Sequence, residues 1–240
     1  MGIGEDQADL IDQSALLRGL ALDLRLPLLQ IKNKLENIQL EATYSTKDLN
    51  SLSLSTESGL RLLEAFSLST SSNRQDQLQL EPVAISALLD DAAHALSGYA
   101  KQYSTNLEVS SSPGLKPVLA HKKTALLALT ILGESLVRTQ LPNSRKNNTL
   151  VFGAHRYQSQ IIAGVFGNFE GLSSKSLQLA RRLCGTAQQP ISSLAAHSGG
   201  GILIADQLCA AFSRPLQFSQ HEKQQGFATI FQISNQLQLL

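Results

Sequence analysis

Residues 16–38 read LLRGLALDLRLPLLQIKNKLENI. Leu17, Leu20, Leu24, Leu28, Ile31, Leu35 and Ile38 recur at intervals of three and four, the spacing of one helix face packing along a coiled-coil-like seam. A second stripe, Leu22, Leu26 and Leu29, lies off that seam, so the helix is apolar around more of its circumference than a two-layer bundle needs. Residues 41–47 (EATYSTK) are polar and interrupt the period, with Ser45 or Thr46 placed to cap a second helix. The helical period resumes over 48–70, with Leu49, Leu52, Thr56, Leu60, Leu63 and Phe66 on one face. Two antiparallel helices bury one face poorly, and such a hairpin pairs with a copy of itself into a four-helix bundle. Packing therefore predicts a homodimer through residues 16–70.

The chain has 240 residues, 42% of them hydrophobic, enough for one mid-sized domain or two small ones with real cores. Its 20 basic and 19 acidic residues leave a net charge of +1, so electrostatics favours neither nucleic acid nor an anionic membrane surface as partner. Cys184 and Cys209 fit neither a disulfide framework nor a zinc spacing and are expected to be buried or half-buried thiols in a reducing compartment. The first thirteen residues, MGIGEDQADLIDQ, lack the pattern of a signal peptide, and no run of about 18 apolar residues forms a membrane span. A cytoplasmic protein without membrane or nucleic-acid partners is expected.

Residues 67–77 (SLSTSSNRQDQ) have the composition of a linker. The expected division is a helical hairpin over 1–70, a linker over 71–77 and a second domain over 78–240. In the latter the pattern predicts a strand over 78–83, a helix over 85–103, strands over 106–110 and 117–120, and a helix over 121–139. An antiparallel hairpin is expected over 149–157 and 160–166, then helices over 173–184 and 202–212 and strands over 215–220 and 226–234. The fold class is α+β: a hairpin forming a dimeric four-helix bundle, then an α/β sandwich whose mixed sheet carries helices on one face.

Ala21-Leu22-Asp23-Leu24-Arg25-Leu26-Pro27-Leu28 resembles the H-box of sensor histidine kinases, with Leu22 at the place of the phosphoaccepting His. LQLEPVAISALLDDAAHAL (78–96), GGGILIADQLCAAF (199–212) and GFATIFQIS (226–234) resemble, in order, the entry, the G2 box with its helix, and the last strand of that family's GHKL-type ATP-binding domain. The resemblance implies the dimerisation hairpin plus the ATP-binding domain, and it implies a nucleotide pocket whose parts can be checked one by one. The Asn that holds Mg²⁺ corresponds to Glu134, for which a solvated helix residue is the expected reading. The Asp that reads adenine corresponds to Gly167, with Phe169 replacing a glycine and Gly171 retained. Gly199, Gly200 and Gly201 remain before a helix, where backbone amides can approach a phosphate. Residues 173–197 fall where the family has its ATP lid, including Arg181 and Arg182.

Leu22 has no nucleophilic nitrogen, so a phosphotransferase that keeps only the histidine of this motif is excluded. His94, His121, His155, His197 and His221 all lie in the second domain and are expected to be polar surface residues, His221 in a hairpin turn. The expected function is that of a catalytically inactive histidine-kinase-like protein without ATP or Mg²⁺ as cofactor. Such a protein acts as a dimeric scaffold, adaptor or decoy for a response regulator receiver domain or another signalling protein. Leu22, Asp23, Arg25, Leu26 and Leu29 form the expected docking patch. Two alternatives stand beside it: a divergent nucleotide-binding kinase or ATPase using Glu134 and the glycines at 199–201, and an adaptor for a transcription regulator or an active kinase outside a phosphorelay.

Overall fold

The computed structural model describes residues 3–41, 45–70, 78–139, 148–169, 174, 177 and 199–234. Helix α1 spans Ile3–Glu41 and runs through Pro27 without ending. Helix α2 spans Thr46–Thr70. Its start is a reciprocal cap: Ser45 Oγ accepts from the Asp48 amide at 3.3 Å, and Asp48 Oδ2 accepts from the Ser45 amide at 3.1 Å. Asp48 also pairs with Lys34 Nζ of α1 at 2.6 Å, tying the two helices together near their connection. That lysine, with the Ser45 hydrogen bonds, holds the Asp48 carboxyl well below the ordinary carboxylate range.

The second half contains β1 (Glu81–Val83), α3 (Ile85–Gln102), β2 (Thr105–Ser111), β3 (Val118–Ala120) and α4 (Lys122–Thr139). It continues with β4 (Asn148–Tyr157), β5 (Gln160–Gly167), α5 (Gly199–Phe212), β6 (Gln217–His221) and β7 (Gln224–Gln232). The main sheet has the order β2-β4-β5-β7-β6, with β2 and β4 parallel and the other neighbours antiparallel, and β1 pairs with β3 in a small second sheet. The expected elements are all present within a few residues, except the helix over 173–184, of which only Ser174 and Leu177 are among the described residues.

Alternation along the strands decides which face takes the helices. Phe152 of β4, Val165 of β5 and Phe227 of β7 stand in one register row and are fully buried. Against this row lies Gly133 of α4, where a Cβ would come within 2.8 Å of Phe152 Cζ and 2.9 Å of Leu96 Cδ2. Helix α4 is buried on the side away from the sheet as well, because α2 packs there while α1 and α2 cover α5. The chain thus has three layers: sheet, the helices α3, α4 and α5, and the hairpin.

This third layer changes the expected hairpin packing. Of the α1 seam, Leu20 is buried and Leu24 packs on the core, whereas Leu17, Leu28 and Leu35 are exposed; of the α2 face, Leu49, Leu60 and Leu63 are exposed. The faces turned to the helix layer carry Leu16, Leu20, Asp23 and Pro27 on α1 and Ser55, Ser58, Leu62, Ala65 and Ser69 on α2. The small residues of α2 let it approach α4 closely, and they carry little apolar signal in the sequence.

Candidate functional site

Three glycines open α5, and the middle one lies against α1. A Cβ on Gly19 would come within 2.8 Å of Gly200 Cα, so two bare backbones are what allow the helices to meet there. One turn further along α1, Asp23 is 1% exposed and its Oδ2 accepts a hydrogen bond from the Gly201 amide at 2.5 Å. A carboxylate at that place satisfies one of the free amides of a first helical turn and faces the positive end of the helix dipole. Ser135 of α4 closes the other side: its Oγ is buried, lies where a Cβ of Gly201 would stand, and has no hydrogen-bond partner among the described residues.

Glu134, the neighbour of Ser135, is fully buried rather than solvated as expected from the sequence. Its Oε1 accepts from the Ser58 hydroxyl, its Oε2 accepts from Arg61 Nη1 at 3.1 Å, and Arg138 Nη2 lies 3.6 Å from Oε1. The docked hairpin causes the difference, since Ser58 and Arg61 come from α2 and cover a helix position that a bare sandwich would expose. The Arg138 side chain is 3% exposed. Burial penalises its charge, yet Tyr99, Glu134 and Asp23 around it more than offset that and raise its pKa above the ordinary guanidinium value. A buried carboxylate between two guanidinium groups is a structural ion cluster, with Ser58 hydrogen-bonded to one of its oxygens and Arg61 to the other.

Gly167 ends β5, and the ring of Phe169 folds back onto it. A Cβ on Gly167 would lie 2.9 Å from Phe169 Cε2 and 3.2 Å from the Thr149 carbonyl oxygen, so the buried Phe169 ring takes the space of any side chain at 167. Gly171, Arg181, Arg182, Cys184 and His197 lie outside the described residues. Gly199 is the first residue of α5.

The expected docking patch is divided by the fold. Leu22 is 48% and Leu29 43% exposed, Arg25 is exposed and Leu26 half-buried. Asp23 does not belong with them, because it turns to α5. A further polar bridge joins the layers where Gln30 Nε2 donates to Tyr103 Oη at 2.9 Å and Ser55 Oγ donates to Gln30 Oε1 at 3.2 Å. Ser58, Arg61, Arg138, Ser135 and Gly19 were not singled out by the sequence. Only Arg138 had a local signal, its place four residues after Glu134 on one helix.

The histidines are less uniform than expected. His94 is exposed, but His121 Nδ1 lies 2.7 Å from Thr124 Oγ1 at the start of α4. His221 is buried at the end of β6, stacked on Phe166 and on His155, with its Nε2 3.1 Å from Ser110 Oγ. Burial and the neighbouring His155 lower its pKa. The sheet brings His221 over Gly153, whose missing side chain leaves the room. Among the described residues, no three His, Cys, Asp or Glu side chains converge to hold a metal ion, and no helix is long and apolar enough to cross a membrane.

No family model matches the chain, and no curated protein matches it. Solved structures do. The Acinetobacter baumannii histidine kinase AdeS superposes with a TM-score of 0.55 at 15% identity, over 88% of this chain and 98% of that one. Full-length ShkA in complex with AMPPNP superposes with a TM-score of 0.51 at 18% identity, over 89% of this chain and 42% of that one. The fold is that of a histidine kinase catalytic core, a helical hairpin followed by a GHKL-type sandwich.

Proposed function

We propose that this protein is a catalytically inactive histidine-kinase-like signalling protein, a dimeric scaffold, adaptor or decoy that works without bound nucleotide. One observation supports the proposal: among the described residues, three places that correspond to the resembled family's nucleotide contacts are taken by side chains of this chain. Asp23 sits on the amide of Gly201, Ser58, Arg61 and Arg138 surround Glu134, and Phe169 lies against Gly167. With Leu22 at the phosphoacceptor position, the helix has no histidine to receive a phosphoryl.

The protein divides into the hairpin over 1–70, a linker over 71–77 and the sandwich over 78–240. A second copy covers the hairpin face that carries Leu17, Leu28, Leu35, Leu49, Leu60 and Leu63, all exposed in the single chain. Leu22, Arg25, Leu26 and Leu29 dock a response regulator receiver domain or another signalling protein, in the cytoplasm. Calorimetry with ATP, ADP and Mg²⁺ tests the proposal directly, because a ligand of the native state raises its stability with the logarithm of ligand concentration above Kd. No heat and no thermal shift at millimolar nucleotide is the expected result; a Mg²⁺-dependent shift overturns it in favour of a divergent nucleotide-binding enzyme. Leu22→Asp should abolish partner capture while leaving the dimer intact.

A further inference from the structure

The first turn of α5 has the makings of an anion site that is already filled from within. Its Gly201 amide is held by the Asp23 carboxylate at 2.5 Å. The buried Ser135 hydroxyl, with no hydrogen-bond partner among the described residues, is aimed at the same turn, and a Cβ at 201 would collide with it. Arg138 stands one turn beyond Ser135 on α4, and its Nε, Nη1 and Nη2 are buried without hydrogen bonds among the described residues. Amides at a helix N-terminus, a hydroxyl donor and a guanidinium are together the donor set of an oxyanion site. The carboxylate placed on the Gly201 amide arrives on α1, the helix of the other layer.

We infer that Asp23 is a resident anion that latches the hairpin onto the helix layer, so that hairpin docking and the binding of an external oxyanion such as phosphate exclude one another. The inference deepens the proposed self-filled pocket and rests on that reading. Two features make the latch specific. The carboxylate reaches α5 only because Gly19 and Gly200 let the backbones meet. The other interlayer contacts, Ser58 and Arg61 on Glu134 and Gln30 on Tyr103, form in the same docked arrangement, so release of the hairpin frees Arg138 and Ser135 together. By linkage, whatever anion binds the freed turn must weaken docking by the same factor by which docking weakens its binding.

The test uses the full chain and inorganic phosphate. Small-angle scattering and amide exchange are measured for wild type, Asp23→Asn, Asp23→Ala and Gly19→Leu, and phosphate binding is followed by calorimetry. Loss of a charge-assisted hydrogen bond shifts the docking equilibrium by about ten- to hundredfold. Asp23→Ala should therefore show a larger radius of gyration, faster exchange on the first turn of α5, and phosphate binding at least about tenfold tighter than wild type. Asp23→Asn, which keeps an acceptor but loses the charge, should fall between. Gly19→Leu keeps the carboxylate and removes a helix-weakening glycine, yet wedges α1 from Gly200; it should open the layers with the hairpin itself intact. Variants as compact as wild type, or a wild type that binds phosphate without opening, overturn the latch. Compact variants would leave the proposed function standing. ATP binding to wild type with opening of the layers would defeat the nucleotide-free function and leave the latch standing.

Discussion

Replacing Glu134 by alanine strips the carboxylate from a cluster in which the Arg138 side chain is 3% exposed and cannot turn to water without moving the hairpin. At the 3.6 Å separation of the pair, an effective dielectric near 20 corresponds to an attraction of about 4–5 kcal/mol. Breaking one side of a buried pair costs about 3–5 kcal/mol in other proteins, which agrees. Arg61 also loses its 3.1 Å hydrogen bond, but its side chain is 19% exposed against 3% for Arg138 and can reorient partway toward solvent, so Arg138 dominates the cost. With an unfolding entropy of about 2.1 cal/mol/K per residue over 240 residues, the loss lowers Tm by roughly 6–10 °C if the layers melt together. Differential scanning calorimetry with urea unfolding reads it, and scattering reports whether the hairpin stays docked. Glu134→Leu combined with Arg138→Met removes both charges and should recover most of the loss, because a buried pair replaced by apolar side chains is close to neutral. A single variant within about 1 kcal/mol of wild type with the hairpin still docked would refute the burial argument, as would strict additivity of the two substitutions.

Gly167→Asp, which restores the residue type that reads adenine in the resembled family, should not restore nucleotide binding. Its Cβ meets the Phe169 ring at 2.9 Å, and chemical denaturation should register a loss of about 1–3 kcal/mol that Phe169→Gly partly relieves. Gly133→Ala should also destabilise despite the better helix former, because its Cβ reaches within 2.8 Å of the fully buried Phe152 ring; equal or higher stability in urea would refute that packing. The lowered pKa of Asp48 means that its contribution is present above the unfolded carboxylate value near about 4 and is lost as pH falls through that value toward the folded one; Asp48→Asn should flatten the acid limb of a stability–pH curve. His221 works on a higher window. Its folded pKa is lowered, so the unfolded chain takes up the proton first and stability falls as pH drops below about 6.5, a slope that His221→Phe should abolish.

Helix periods, strand alternation and turn chemistry are local, and they were legible. The seam over 16–38, the polar break at 41–47 and the alternating runs at 149–157 and 160–166 placed elements that the structure returns within a few residues, and Ser45 is the cap. The residue types at 22 and 167 are likewise legible, since identity is a property of the chain alone. The filling of the space beside Gly167 is not. Phe169 comes two residues after Gly167, but only the turn after β5 lays its ring over the vacant space.

Glu134 marks the other side of that division. Sequence assigns a carboxylate on a helix to solvent, because burial of a charge is costly and its compensation comes from residues far along the chain. Here Ser58 and Arg61 are more than seventy positions away and arrive only because α2 offers a face of serine and alanine small enough to lie on α4. Asp23 and Gly201 are separated by 178 positions and meet across Gly19 and Gly200, a contact between backbones that no periodicity encodes. Local spacing was enough to specify helices, strands and their order. The docking of one layer on another, and with it the burial of Asp23 and Glu134, depended on long-range complementarity of shape and charge, which exists only once the chain has folded.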